Sequence, residues 1–146
     1  MIQVICPVCG AALEPQGTAW RCVQGHCFDV ARQGYVNLLT VTQKHSRHPG
    51  DTREMVAARR AFLDAGWYAP IAKTLADLVR RFCPETASVL DAGCGEGSYD
   101  KYLYETLGAP QIVGFDLSKE TVRLASKLLP GAAFCVCLLY TSDAAD

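Results

Sequence analysis

Neither charge sign dominates this sequence: 14 Lys and Arg stand against 15 Asp and Glu over 146 residues, a formal net charge of −1. This argues against a protein that holds nucleic acid by bulk charge alone, without excluding a local basic patch. Long apolar runs are also missing, so no stretch has the length and sparsity of charge of a membrane span. Nor does any segment pair low hydrophobicity with high net charge, the composition of a disordered chain. The opening MIQVICPVCG has no basic region, no apolar core of signal length and no cleavage site. It predicts no secretory address, and a cytoplasmic location is the expectation.

What is abundant is cysteine, eight in all. In a reducing compartment a tight cluster of thiols points to a metal site before disulfides. Cys6-Pro7-Val8-Cys9 puts two thiols across one turn, and Cys22 begins a second group that holds His26 and Cys27. A small hairpin can fill the spacer, and four such ligands suit tetrahedral zinc. The spacing leaves either His26 or Cys27 as the fourth ligand. With four protein ligands no position stays open for water, so the zinc is expected to be structural, its binding energy serving to fold a segment with little core.

Residues 31–50 read as a short strand or extended connector and a loop closing on Pro49 and Gly50. Asp51 and Glu54 stand in capping-box register before a helix with Met55, Val56, Phe62 and Leu63 on one face, stopping near Gly66. A second helix runs from Pro70 to Phe82 with Ile71, Leu75, Leu78, Val79 and Phe82 as its apolar face. Beyond it the pattern predicts a strand at Ser88–Asp91, a helix over 98–107, a strand at Gln111–Asp116, a helix at Lys119–Leu129 and a strand at Ala132–Cys135. Alternating strands and helices make this an α/β chain with a parallel sheet.

Val89-Leu90-Asp91-Ala92-Gly93-Cys94-Gly95-Glu96-Gly97 is a strand running into a glycine loop that opens a helix. Dinucleotide sites use the same device, but Ser98 stands where their third glycine belongs, and Glu96 would sit poorly against a pyrophosphate. The pattern D-x-G-x-G-x-G resembles the first motif of class I (Rossmann-like) S-adenosylmethionine-dependent methyltransferases, which makes Asp91, Gly93, Gly95 and Gly97 candidate cofactor-binding residues. Asp116 closes the next strand about twenty residues on, where a carboxylate can take the ribose hydroxyls. As alternatives, Asp91 and Asp116 could cap the helices that follow them. Cys94 has no partner histidine beside it and is read as a packing residue.

Together, CPVC at 6–9, CVQGHCFD at 22–29, GYVNLL at 34–39, SRHPGDTREMVAARRAFLDAGWYAP at 46–70 and VLDAGCGEG resemble the RlmA family of bacterial 23S ribosomal RNA guanine-N1 methyltransferases. The resemblance implies that Cys6, Cys9, Cys22 and His26 bind structural zinc, that Tyr68, Gly95 and Glu96 contact S-adenosylmethionine, and that the substrate is a guanine in a hairpin loop of 23S RNA. It implies no membrane partner and admits a homodimer. Trp67 departs from the family's G-H-Y, which puts a polar role there in doubt. Lys44, Arg47, Arg53, Arg59 and Arg60 could meet phosphates or simply form a solvated face. The sequence identifies no catalytic base for removing the N1 proton.

These readings divide the chain into a zinc module (1–33), a connector with a helix (34–66), the first part of a methyltransferase domain (67–136) and a tail (137–146). The tail, CLLYTSDAAD from Cys137, departs from the family pattern and resembles translated adapter sequence. The expectation is a C-terminally truncated chain, itself inactive and poorly folded outside the zinc module, whose function belongs to its parent. A small-molecule methyltransferase with an appended zinc ribbon, and a non-catalytic zinc module that binds RNA, are the competing readings.

Overall fold

A computed structural model describes residues 2–40, 51–83, 88–108 and 110–138. The candidate cations Lys44 and Arg47 and most of the tail lie outside these residues. Two sheets organise the chain. The first is antiparallel, with β1 (Leu13–Gln16), β2 (Ala19–Cys22) and β3 (Cys27–Asp29) in that order. Leu13 pairs with Cys22 and Trp20 with Phe28, so each strand needs only a few residues to place the cysteine turns at one end.

The second sheet is parallel. Its strands are β4 (Val36–Asn37), β5 (Val89–Ala92), β6 (Ile112–Asp116) and β7 (Ala133–Val136), in spatial order β4-β7-β6-β5. Helices α3 (Ser98–Thr106) and α4 (Lys119–Leu128) are the crossovers between β5, β6 and β7. Phe134, Ile112, Val122 and Ala125 are at most 2% exposed and form the centre of its core. Asp91 pairs with Gly114 and Phe115 with Cys135, which brings the C-terminal ends of β5 and β6 side by side. In open α/β sheets that end is where ligands bind.

The strand expected in the connector is β4, and it does more than link. Val36 bridges Val30 on one side and pairs with Cys135 on the other, while Leu38 N donates to Val136 O at 2.8 Å. One apolar cluster holds Cys6, Leu13 and Cys22 together with Val36, Leu38 and Cys135. The small sheet and the large one therefore share a core.

Two helix expectations change. Helix α1 (Arg53–Asp64) is capped by Thr52, whose Oγ1 accepts from Met55 N at 3.4 Å, not by Asp51. Asp51 instead pairs with Arg59 at 2.8 Å, because a guanidinium within reach outcompetes a backbone donor for a carboxylate. Of the expected α1 face only Val56 is buried, and Met55 and Phe62 are exposed. Helix α2 (Ala69–Phe82) turns Ala72 and Ala76 inward, and α3 is its main partner. Small residues allow that close approach, and they leave Ile71, Leu75, Leu78 and Phe82 exposed. Among the described residues nothing covers this stripe, and Leu90 of β5 is exposed as well.

Candidate metal centre and cofactor loop

The two cysteine turns are built by short-range backbone bonds. Gly10 N donates to Cys6 O (2.8 Å) and Cys6 N to Ala11 O (2.7 Å), closing the first turn. Gly25 N donates to Cys22 O (3.0 Å) and Cys22 N to His26 O (3.1 Å), closing the second, with Gly25 at φ +85°. The ligand atoms of Cys6, Cys9, Cys22 and His26 all fall within 4.8 Å of one another. Cys9 and Cys22 sulfurs are 3.7 Å apart, and Cys22 Sγ is 3.3 Å from His26 Nδ1. Tetrahedral zinc at ordinary bond lengths requires edges of about 3.8 Å between sulfurs and about 3.6 Å between sulfur and nitrogen. The donor set fits that ion. Burial pushes the Cys22 thiol up, but the Gln24 and His26 backbone N–H groups and the His26 ring outweigh it and bring it down to about 6, which favours the thiolate a metal needs. Cys27, the competing fourth ligand, is exposed on β3 and outside this group.

The second candidate site lies where β5 runs into α3. Gly93 and Gly95 have φ of +87° and +56°, and a Cβ on either would meet open space. Backbone is thus bare toward whatever occupies the loop. Gly97 differs: a Cβ there would lie 3.0 Å from Ala125 Cβ, so this glycine lets α4 pack against the loop. Asp116 is committed to the loop by both oxygens, Oδ2 accepting from Gly95 N (3.1 Å) and Oδ1 from Ser118 N (2.8 Å). Each oxygen keeps lone pairs for a further donor. The cap of α4 is Ser118, whose Oγ accepts from Thr121 N, so Asp116 steadies the turn before the helix and does not cap it.

Glu96 is 3% exposed; its Oε1 accepts from Ser98 Oγ at 2.9 Å, and its Oε2 is buried without a partner among the described residues. Tyr68 precedes α2, its ring 5.4 Å edge-on from Phe62, and both it and Glu96 act electrostatically on Tyr99 in the first turn of α3. Trp67 is 70% exposed. Cys94 is buried, and burial followed by the charges of Asp100, Asp116 and Asp91 drives its thiol far up, in keeping with a packing role. Of the candidate phosphate contacts, Arg59 faces Asp51, Arg60 faces Asp64 at 3.6 Å and Arg53 faces Glu120 at 3.8 Å.

Sequence reasoning missed Asp100. It is fully buried in the first turn of α3, and both its carboxyl oxygens lack a partner among the described residues. Burial and then the charge of the neighbouring Asp91 raise its carboxyl to about 7. Asp91 itself is raised, first by burial and also by the charge of Asp116. Asp100 and Leu103 share the buried face of α3, a helical spacing that could have exposed a carboxylate on the wrong side.

A glycine loop at the C-terminal end of a parallel sheet, with carboxylates on two adjacent strands and a four-ligand metal module fused to the sheet edge, defines a zinc-ribbon protein of the methyltransferase class. Comparison with known proteins agrees. Residues 4–47 match the model of the RlmA N-terminal zinc ribbon, and residues 89–145 match that of a methyltransferase domain. The 23S rRNA (guanine(748)-N(1))-methyltransferase of Streptomyces fradiae is 41% identical over 133 residues, which is 90% of this chain and 46% of that protein. A relative in Micromonospora griseorubida, named in the 23S rRNA (guanine-N(1)-)-methyltransferase class, is 38% identical over 150 residues, 90% of this chain and 50% of its own. Among solved structures, the sugar N-methyltransferase KedS8 from Streptoalloteichus sp ATCC 53650 superposes with a TM-score of 0.51 at 20% identity, covering 73% of this chain and 41% of its own, a likeness of fold alone. The chain is thus similar to RlmA-type 23S rRNA methyltransferases over most of its own length. It spans about half the length of the curated relatives it matches.

Proposed function

We propose that this chain contributes the zinc ribbon and the cofactor edge of a methyltransferase that transfers a methyl group from S-adenosylmethionine to N1 of a guanine in a hairpin loop of 23S ribosomal RNA, acting in the cytoplasm. The observation that carries this reading is that one likeness to 23S RNA enzymes takes in ribbon, connector and glycine loop together, over 90% of the chain. A small-molecule enzyme with an unrelated ribbon, or a ribbon on a non-catalytic scaffold, would not require that combination.

In this reading Cys6, Cys9, Cys22 and His26 hold structural zinc, and the ribbon docks RNA. Asp91, Gly93, Gly95, Glu96, Gly97, Asp116 and Tyr68 form the cofactor site. S-adenosylmethionine supplies an electrophilic methyl on a sulfonium. The chain's own part is to let Gly93 and Gly95 approach it closely, to offer Asp116 to hydroxyl donors, and to set the half-buried carboxylate of Asp91 and the buried one of Glu96 against its positive charge. Loop guanines suit such a site because N1 must be unpaired to be reached. The deciding experiment is transfer of labelled methyl to 23S RNA lacking the modification, by the protein at the length of its curated relatives. Incorporation at guanine N1 is expected, and transfer to a metabolite with none to RNA would refute it.

A further inference from the structure

Residues 51–68 run from one side of the candidate cofactor site to the other. At their start, Ser118 Oγ donates to Asp51 O at 3.3 Å while Ser118 N donates to Asp116, so the segment begins beside the carboxylate that closes β6. At their end they join α2, which lies alongside α3. Arg80, near the end of α2, donates to the carbonyl of Thr106, the last residue of α3, at 2.8 Å, so the two helices run in the same direction. At 1.5 Å per residue, Ala69 stands about 16 Å before Arg80 and Ser98 about 12 Å before Thr106. The turn ahead of α2 therefore comes level with the glycine loop, in keeping with the electrostatic effect of Tyr68 on Tyr99. Backbone bonds hold this turn: Gly66 N, at φ +82°, donates to Leu63 O (2.9 Å), and Ala69 N donates to Gly66 O (3.1 Å). Its two aromatic side chains are placed differently. Tyr68 packs edge-on against Phe62. The Trp67 indole is 70% exposed and makes no ring contact or hydrogen bond among the described residues. Phe82 is about as exposed, but it stands at the opposite end of α2, away from the loop.

We propose that Trp67 is a substrate-contact residue whose indole stacks on an unpaired base of the RNA hairpin loop that brings its guanine to the methyl donor. An indole held in water on a fixed turn offers a flat apolar face, and an unstacked nucleobase is the flat partner that covers it. Such stacking accepts any base, because every base has a π face. A chain of net charge −1 does not draw RNA by bulk charge, which leaves local contacts to hold it. Cations flank the turn on both sides. Arg60 precedes it on α1 and has one ion pair, an exposed one with Asp64 at 3.6 Å; Lys73 follows it on α2, exposed and with no ion pair among the described residues. Exposed pairs contribute little, so both cations are available to the phosphates on either side of a stacked base. The proposal rests on the reading that the glycine loop holds the methyl donor and that 23S RNA is the substrate, and it adds to that reading a contact outside the cofactor loop.

Fluorescence titration of the zinc-loaded chain with a synthetic 23S RNA hairpin carrying an unmodified loop guanine tests it. The chain has two tryptophans, so Trp20→Phe leaves Trp67 as the sole indole and the emission reports on that side chain alone. Its emission should be quenched as the hairpin binds and should be unchanged by a fully paired duplex of the same length, whose bases are already stacked. Trp67→Ala should weaken hairpin binding by at least about fivefold, the loss of one stacked base, and Trp67→Phe, which keeps a ring, should stay within about threefold of the parent. The side chain is exposed, so neither substitution disturbs the fold. Hairpin binding without quenching, equal quenching by the duplex, or a Trp67→Ala chain within about twofold of the parent overturns the proposal and leaves the RNA reading standing. Quenching by S-adenosylmethionine, with none added by the hairpin, assigns the indole to the cofactor and overturns it as well. No binding of the hairpin by the parent or the variants overturns both.

Discussion

Adding one methyl group at Gly114 tests how tightly the cofactor edge is packed. A Cβ built there lies 2.6 and 2.7 Å from two ring carbons of Phe134 and 3.0 Å from Cys94 Cβ. Ordinary carbon contacts lie at about 3.5–4.0 Å, so the ring would have to retreat by about 1 Å. The ring is enclosed: Phe134 is 1% exposed. Overpacking of this kind costs about 1–3 kcal/mol, and a fully enclosed ring places Gly114→Ala toward the upper end. The assay is urea unfolding of the zinc-loaded chain, followed by far-ultraviolet circular dichroism. Phe134→Leu frees the overlapping ring atoms, so the double variant should be more stable than the sum of the singles by about 1–2 kcal/mol. A Gly114→Ala chain within about 0.5 kcal/mol of the parent, or strict additivity with Phe134→Leu, would refute the packing argument.

At the metal centre, Cys22→Ser should lose the bound zinc while Cys27→Ser keeps one equivalent, measured by atomic emission on the purified chains. Loss of metal from the Cys27 variant would reassign the fourth ligand. For Asp100 the sign of the pH effect is fixed by its raised carboxyl, at about 7 against an ordinary value of about 3.9. The native state then holds a proton that the unfolded chain has released, so this contribution to stability is full below about pH 4 and is lost as pH rises to about 7. Asp100→Asn removes the dependence, and its stability relative to the parent should climb across that window by up to about 4 kcal/mol. Denaturation at pH 5 and pH 8 measures the difference, and an unchanged gap would refute it.

Local patterns carried much of the architecture. The alternation from Ser88 onward is enough to give β5, α3, β6, α4 and β7 in register with their apolar residues, because each crossover is a short-range event. The cysteine turns were legible for the same reason, since a C-x2-C turn and its ligand spacing are set by a few backbone bonds. Longer-range choices were not. That Val36 would pair with Cys135 depends on residues nearly a hundred positions apart, and two-residue strands leave no periodicity. Ile71, Leu75, Leu78 and Phe82 formed the obvious apolar face of α2, yet Ala72 and Ala76 are what the helix buries, because close packing on α3 favours small side chains over hydrophobic ones. Asp100 escaped notice because a carboxylate in the first turn of a helix looks like ordinary dipole compensation until its burial is known. The close approach of Gly97 to Ala125 was not legible either, because the partner comes from another helix.

Val36 stands with Val30 on one side and Cys135 on the other, and that single residue decides how the metal module can behave. A ribbon hung on a flexible leash would search for its target and deliver it at any angle. Stitched to the strand whose register continues through Phe115 to Asp116, it is a fixed ruler. The metal centre therefore stands at one bearing and one distance from the glycine loop.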